Sequence, residues 1–181
     1  MNDKRLDDNR ILYYADKLKK KICYGVPQYI HYMYSLHCMK KNRKIINKKI
    51  SNREILNKDK VKMKTLAFLC ELGKVGEVTK VSSFWDNSVS DHDEILDCFI
   101  DGLHMLLSIG FELHVDSLKN YQEISDLDNV ADQLIKVYKN ALKIMDTYSF
   151  EAFQNCIDDY FTLGFKIGLD FDTILNKYAH E

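Results

Sequence analysis

The sequence predicts an all-α bundle, because apolar residues recur at three- and four-residue steps over long stretches and few helix breakers interrupt them. The 181 residues include one proline, Pro27, and seven glycines. Hydrophobic residues make up 46% of the chain, enough for one domain of ordinary size to bury a core. We therefore expect a single domain over residues 1–181. It would have basic N-terminal helices in 1–64, two central helices in 65–111 and C-terminal helices in 129–179.

The N-terminal part is predicted to hold two helices. Residues 4–22 show an amphipathic pattern, and a second pattern runs from about 28 to 49. A capping box, Ser51-Asn-Arg-Glu54, would begin a short helix or turn after them. The second helix is rich in aromatic residues, which is typical of a core or a dimer interface and less so of a base-stacking surface. These residues are Tyr29, Tyr32 and Tyr34.

The central part is predicted to hold two apolar helices that carry carboxylates. The first spans 59–82 and contains Glu71; the second is capped by Ser90 and Asp93 and ends at Gly110. A buried carboxylate costs free energy unless a cation or a hydrogen-bond donor faces it. On the second helix, Glu94, Asp97 and Asp101 share one face. Two neighbouring helices that present acidic groups to each other can build a divalent-metal site.

Residues 112–128 are polar and predict a loop. Two amphipathic helices, 129–147 and 149–167, should follow. Asp170 or Asp172 would cap a last short helix that reaches Tyr178. No internal repeat and no domain linker interrupts this order.

Cysteine usage and the termini indicate a protein of the cytoplasm. The five cysteines have no Cys-x-x-Cys spacing, which argues for reduced, buried thiols and against a zinc site or a disulfide framework. They are Cys23, Cys38, Cys70, Cys98 and Cys156. The N-terminus is too charged for a signal peptide, and no apolar run is long enough to span a membrane. We therefore expect a soluble chain without a membrane partner.

Charge is distributed unequally along the chain. Residues 1–90 carry 20 Lys and Arg against 9 Asp and Glu, whereas residues 91–181 carry 6 against 18. Oppositely charged helix faces that pair with each other explain this pattern. Alternatively, part of the basic half, above all residues 40–64, faces a nucleic acid or a regulatory protein.

Three stretches of the sequence resemble the dimeric all-α dUTPases, which are grouped with the MazG-type nucleoside triphosphate pyrophosphohydrolases. The stretches are Ala67-Phe-Leu-Cys-Glu-Leu-Gly73, Ser83-Phe-Trp85 and Ile100-Asp-Gly-Leu-His-Met-Leu-Leu-Ser-Ile-Gly110. The resemblance implies a homodimer that hydrolyses dUTP to dUMP and pyrophosphate. It also implies Mg²⁺, held by Glu-x-x-Glu on one helix and Glu-x-x-Asp on the next.

The chain departs from that metal motif at two of its four positions. Glu71 and Asp101 match the family's first Glu and last Asp, and the resemblance makes them the catalytic and metal-binding candidates. Lys74 and Cys98 replace the other two carboxylates. A thiol is a poor ligand for Mg²⁺, and the Lys74 ammonium can lie where the cation would lie. Alternatively, Asp97 and Glu94 replace the missing ligands, so that Mg²⁺ is still held.

Five residues are candidates for substrate binding under the same resemblance: Lys74, Lys80, Trp85, His104 and His37. A lysine expected before Phe-Trp is Ser83 here, and the family's basic C-terminal tail would begin about where the sequence ends. His37 is the nearest polar counterpart of the family's base-reading glutamine. His104 fits a structural role, orienting a carboxylate or bonding a backbone carbonyl, better than general-base work.

Three functions follow as hypotheses. The first is a dUTPase-like protein with a degenerate metal site and weak or no hydrolysis, which acts as a nucleotide- or protein-binding module. The second is an active Mg²⁺-dependent dUTP diphosphatase, or a relative with another nucleotide as substrate. The third is a nucleic-acid or regulatory-protein binder that uses residues 40–64.

Overall fold

The computed structural model describes residues 58–83, 85, 88, 90–115, 118–119 and 129–180, and all regular structure in these residues is helical. This confirms the predicted all-α bundle. The predicted helices 4–22 and 28–49, the capping box and His37 lie outside the described residues. The helices in the described part are α1 (Lys58–Val78), α2 (His92–Glu112), α3 (Val130–Thr147), α4 (Phe150–Lys166) and α5 (Phe171–His180).

The helices pack in two main pairs, α1 with α2 and α3 with α4. The pairs are joined because α1 also contacts α3, and α2 also contacts α4 and α5. α1 and α3 run antiparallel: the Lys58 ammonium lies 5.1 Å from the ring centre of Tyr148, and at the other end Gly76 lies against Leu134. None of the described helices has the length and apolar character needed to cross a membrane.

Tyr160 of α4 lies at the centre of the core and contacts both α1 and α2. Its ring stacks on Phe99 with 4.4 Å between the ring centres and meets Phe68 edge-on at 5.3 Å. Its hydroxyl donates a hydrogen bond of 2.8 Å to the Phe99 carbonyl oxygen. Because the hydroxyl is satisfied, Tyr160 can be fully buried without leaving an unpaired polar group. One side chain therefore fixes three helices around the carboxylate-bearing face of α1.

The ends of α1 and α2 differ from the predicted ends. α1 stops at Val78, before the predicted 82, because Lys80 adopts a left-handed backbone conformation (φ 60°). α2 continues past Gly110 to Glu112, and His114 (φ 56°) makes the left-handed turn there. Gly110 serves a different purpose, because a Cβ at this position would lie 2.3 Å from the Phe153 ring. The glycine allows close packing and does not end the helix.

The capping predictions are partly confirmed. Asp91, and not Ser90, caps α2, since its carboxylate accepts the Asp93 amide at 2.9 Å. Asp170, and not Asp172, caps α5, since its carboxylate accepts both the amide and the hydroxyl of Thr173 at 2.8 Å. In both cases the capping side chain accepts a hydrogen bond from a backbone amide of the first helical turn. Such amides have no partner within the helix.

The cysteines in the described part are free thiols, as expected. Cys156 is fully buried, and burial raises its pKa. The prediction of a buried thiol is wrong for Cys70, which is exposed on α1, and Cys98 is only partly buried. Both lie on helix faces that the described neighbours leave at least partly uncovered.

A buried polar cluster joins α3 to α4. The carboxylate of Asp159, which is 1% exposed, lies 2.7 Å from the Lys136 ammonium and accepts a hydrogen bond from Asn140. The Gln133 amide donates to the Asp159 carbonyl oxygen at 2.8 Å. The buried anion is therefore compensated by a cation and by donors from α3.

Candidate functional site

Glu71 and Lys74 form an ion pair on α1. The Lys74 ammonium hydrogen-bonds to Glu71 Oε1 at 3.0 Å and lies 2.9 Å from Oε2. Their spacing of three residues places them one turn apart on one face. The hydrogen bond and the charge of Glu71, and more weakly the charge of Asp101, raise the pKa of Lys74. The lysine is therefore a cation at any physiological pH.

The two oxygens of Glu71 differ in their hydrogen bonding, because only Oε1 accepts a hydrogen bond from Lys74. Oε2 is buried and accepts no hydrogen bond. The side chain of Glu71 is 19% exposed, whereas that of Lys74 is 54% exposed. The Glu71 carboxylate is therefore mostly enclosed by the bundle, whereas the Lys74 ammonium reaches it from the solvent side.

α2 brings Cys98 opposite this pair. The pKa of the Cys98 thiol is raised, first by burial, then by the negative charges of Glu94 and Asp101; Lys74 acts in the opposite direction. At neutral pH the group is thus a neutral thiol, which is a weak ligand for a hard cation. Asp101 is exposed, one turn further along α2.

Asp97 is held on a different side of α2. Its carboxylate lies 2.5 Å from the ammonium of Lys177, which belongs to α5. His104 lies on the same side, where its ring stacks on Tyr178 of α5 with 4.4 Å between the centres. Asp97 and His104 therefore contact α5, while Cys98 faces α1.

A cavity of about 350 Å³ opens between the second half of α1 and the start of α2. Among the described residues, two lysines and three carboxylates line it, and together they carry a formal charge of about −1. Trp85, which belongs to the loop between the helices, is 69% exposed and does not line the cavity. The lining residues are Lys74, Glu77, Val78, Lys80, Ser88, Ser90, Asp91, Glu94 and Cys98.

Gly102 allows α2 to pack closely against Tyr160 of α4 and Glu71 of α1. A Cβ on Gly102 would lie 2.3 Å from the Tyr160 hydroxyl and 3.7 Å from the Glu71 Cβ. Sequence reasoning missed the roles of Tyr160 and Lys177, because each acts through a contact with a distant helix. The glycine of the Asp-Gly pair at 101–102 was the sequence signal, because a glycine lets another group pack closely against the backbone.

The predicted site residues of the described part thus fall into two groups, and Trp85 belongs to neither. Glu71, Lys74, Cys98, Glu94 and Asp101 interact electrostatically across α1 and α2, and Lys80 lines the adjoining cavity. Asp97 and His104 lie against α5. Within the described part of the chain, no three carboxylate, imidazole or thiol groups come together as a metal-binding cluster.

The residues present do not fit Mg²⁺ as the family motif would hold it. Mg²⁺ prefers oxygen ligands in near-ideal octahedral geometry. The resemblance leads us to expect carboxylates at four positions. At two of them the chain has Lys74, whose ammonium neutralises Glu71, and Cys98, whose thiol is neutral. Asp97, the nearest substitute ligand, is paired with Lys177. Glu71 Oε2, which accepts no hydrogen bond, suits a cation, but the ammonium of Lys74 already lies 2.9 Å from it.

Comparison with known proteins agrees with this architecture. A family model described as dUTPase matches residues 35–181, which is most of the chain. No curated protein and no solved structure matches the chain significantly. The three motif stretches and their helices α1 and α2 lie within the matched range. The chain therefore belongs to the dUTPase family.

Proposed function

We propose that this dUTPase-like protein has a degenerate metal site, hydrolyses dUTP weakly or not at all, and acts as a nucleotide- or protein-binding module. One observation carries the proposal: the Glu71 carboxylate is already neutralised by Lys74 within its own helix. The thiol of Cys98 and the pairing of Asp97 with Lys177 support it. The ligand would be dUTP or another nucleotide, taken up by a homodimer in the cytoplasm.

The charge balance explains why catalysis should suffer. Four carboxylates would carry about four negative charges and recruit hard cations. Glu71, Lys74 and Asp101 together carry about one negative charge, with Cys98 neutral. Phosphoryl transfer depends on electrostatic stabilisation of the phosphates by such cations. A site that binds them weakly loses most of that stabilisation.

Pyrophosphate release from dUTP with Mg²⁺ tests the proposal. We expect a turnover below about 10⁻³ per second, against 1 to 10³ per second for typical enzymes. The double variant Lys74→Glu/Cys98→Glu should gain affinity for Mn²⁺, measured by calorimetry, because it restores both carboxylates.

The matched control is Lys62→Glu/Cys70→Glu, which makes the same chemical changes at exposed positions of α1 away from the cavity. It should gain no Mn²⁺ affinity. Wild-type turnover in the ordinary enzymatic range would reject the proposal.

An active diphosphatase is the second candidate. Glu71 Oε2 favours it, because this buried oxygen accepts no hydrogen bond and has only the ion-pair contact with Lys74, which a metal cation could replace. Glu71, Asp97, Asp101 and Glu94 would then hold Mg²⁺, after Lys74 and Lys177 had moved away. In that case the wild type turns over dUTP and Asp101→Ala abolishes turnover. Unchanged activity of Asp101→Ala would reject this assignment.

Binding of nucleic acid or a regulatory protein through residues 40–64 receives less support. Most of that segment lies outside the described residues. Of its described part, Lys64 pairs with Glu112 and Lys58 lies over the ring of Tyr148. These two cations already contact the bundle. This candidate is rejected if no nucleic acid or protein binds at low salt. It is also rejected if binding does not weaken as salt is added.

A further inference from the structure

The cavity between α1 and α2 has the size of a small-molecule site but an unsuitable charge for a triphosphate. Its volume of about 350 Å³ lies within the usual range of ligand pockets. The described residues that line it include two lysines and three carboxylates. Glu71 and Asp101 add two negative charges nearby, since both act electrostatically on Lys74 and Cys98. The described surroundings are therefore negative, whereas phosphates are bound by cations.

Lys74, one of the two lysines, already has an anionic partner. Its ammonium donates to Glu71 Oε1 at 3.0 Å and lies 2.9 Å from Oε2. Glu71 lies one turn earlier on the same helix and is mostly buried, so its carboxylate stays beside the ammonium. A phosphate that approached Lys74 would have to displace this carboxylate or lie against its negative charge. Both cost free energy, because like charges a few ångströms apart repel each other even in water.

The start of α2 is likewise neutralised by side chains of this chain. A helix N-terminus normally attracts phosphate, because its amides are unpaired and the helix dipole is positive there. In α2 the Asp91 carboxylate accepts the Asp93 amide at 2.9 Å. Asp93 and Glu94 place two further carboxylates in the first turn. Negative side chains thus occupy the position that a phosphate would use.

An uncharged nucleoside suits the same lining. Its hydroxyls and base N–H groups are hydrogen-bond donors, and the carboxylates of Glu77 and Glu94 are strong acceptors. The hydroxyls of Ser88 and Ser90 can donate or accept, and Val78 offers an apolar contact. A nucleoside carries no charge that the carboxylates would repel.

We propose that this cavity binds the nucleoside part of a nucleotide and has no phosphate site, so that each added phosphate weakens binding. The ligand class that it prefers is the uncharged nucleoside, followed by the monophosphate and then the triphosphate. This inference rests on the proposed function, because it names the ligand class of that binding module. It also adds a reason for weak hydrolysis, since the triphosphate is the form that the site holds least well.

Calorimetric titration of the full chain with deoxyuridine, dUMP and dUTP, in the presence of a chelator, tests the proposal. Deoxyuridine should bind more tightly than dUTP by about tenfold or more, as expected for several like charges a few ångströms apart in water. Added salt should tighten the binding of dUTP, since screening weakens repulsion, and should leave the binding of deoxyuridine unchanged.

Glu77→Gln removes one negative charge from the lining of the cavity. It should tighten the binding of dUTP about threefold and leave that of deoxyuridine nearly unchanged. The matched control is Glu151→Gln, the same change at an exposed position in the first turn of α4 that does not line the cavity. It should alter neither affinity.

Four results would overturn the proposal. dUTP binds as tightly as deoxyuridine or more tightly; its binding weakens as salt is added, which would mean that cations hold its phosphates; Glu77→Gln leaves the affinity for dUTP unchanged; or none of the three compounds binds. Pyrophosphate release, measured separately, decides the proposed function, which survives each of these results as long as turnover stays low.

Discussion

Lys74 and Cys98 change the chemistry of the site in different ways. Lys74 supplies a positive charge that stays with Glu71, because their hydrogen bond is made within one turn of α1. Cys98 removes a negative charge without adding a positive one, and its thiol stays protonated because burial and the neighbouring Glu94 and Asp101 raise its pKa. Lys74 thus pairs with the Glu71 carboxylate, whereas Cys98 supplies a neutral thiol where the family motif leads us to expect a carboxylate.

The pH dependence of Cys98 alkylation should report this electrostatic environment. The thiolate reacts, so the rate rises with pH, and its midpoint should lie above the usual range of a free thiol. Lys74→Met should raise the midpoint further, because it removes a cation that favours the thiolate. Asp101→Asn should lower it, because it removes an anion that opposes the thiolate.

Mass spectrometry of the Cys98 peptide separates its rate from that of the exposed Cys70, and a Cys70→Ser background simplifies the measurement. A lower midpoint in Lys74→Met would contradict the arrangement of charges described for α1 and α2.

Gly102→Ala should destabilise the protein by about 1–3 kcal/mol, because a Cβ would lie 2.3 Å from the Tyr160 hydroxyl. Tyr160 cannot easily move, since it is fully buried and bonded to Phe99. The control is Gly73→Ala, where the nearest atom is 3.5 Å away. That change should be neutral or stabilising by up to about 1 kcal/mol, because alanine favours the helix.

Urea unfolding measures both variants. In a Tyr160→Phe background the cost of Gly102→Ala should fall, since the clashing oxygen is absent, and a double-mutant cycle gives the difference. Strict additivity would show that the hydroxyl is not the cause.

At the scale of elements, α5 positions the side of α2 that faces away from α1. Lys177 pairs with Asp97, and Tyr178 stacks on His104. Both contacts depend on α5 forming at the right place, which its cap at Asp170 favours. A short helix gains little from its own length, so its cap and its packing decide its stability.

Asp170→Ala should destabilise the protein by about 0.5–2 kcal/mol. Hydrogen bonds from the Thr173 amide, then from its hydroxyl, lower the pKa of Asp170 in the folded state. The advantage of the wild type is therefore complete above the pKa of an unfolded aspartate, and it is lost as pH falls through the lowered folded pKa.

Urea unfolding of the wild type and of Asp170→Ala at several pH values measures the size of the stability difference and the pH range in which it disappears. Asp172→Ala is the matched control, because Asp172 lies exposed in the first turn but does not cap. It should cost only a few tenths of a kcal/mol. An Asp170→Ala deficit that grows as the solution becomes more acidic would contradict the predicted sign.

At the scale of the whole molecule, periodicity predicted where the described helices lie but not how they meet. The 3.6-residue pattern located α1 to α5 to within a few residues. It placed Glu94, Asp97 and Asp101 on one face, although Asp97 lies about 60° around the helix from Glu94. That angle turns Asp97 toward Lys177, and only the position of α5 reveals it. The burial of Tyr160 and the close packing at Gly110 likewise depend on contacts between distant residues.

Thermal melting tests the metal site of the whole protein. Mg²⁺ at millimolar concentration, or a chelator, should leave the melting temperature unchanged, because a ligand stabilises only in proportion to its occupancy. A non-hydrolysable dUTP analogue should raise the melting temperature without added Mg²⁺ if the site still binds nucleotide.

The Lys74→Glu/Cys98→Glu variant is the comparison, and its melting temperature should rise with Mg²⁺. A clear rise in the wild type on adding Mg²⁺ alone would show that the native site holds the cation.

A divalent ion that bridges α1 and α2 would act as a crosslink, so that the folded state would depend on the supply of that ion. The pair of Lys74 with Glu71 lies within a single helix and makes no such crosslink. The described helices are then held together by the packed core around Tyr160 and by ion pairs between helices, such as Lys64 with Glu112. We therefore expect the protein to keep its shape when magnesium is scarce, whereas a relative that relies on bridging ions would loosen.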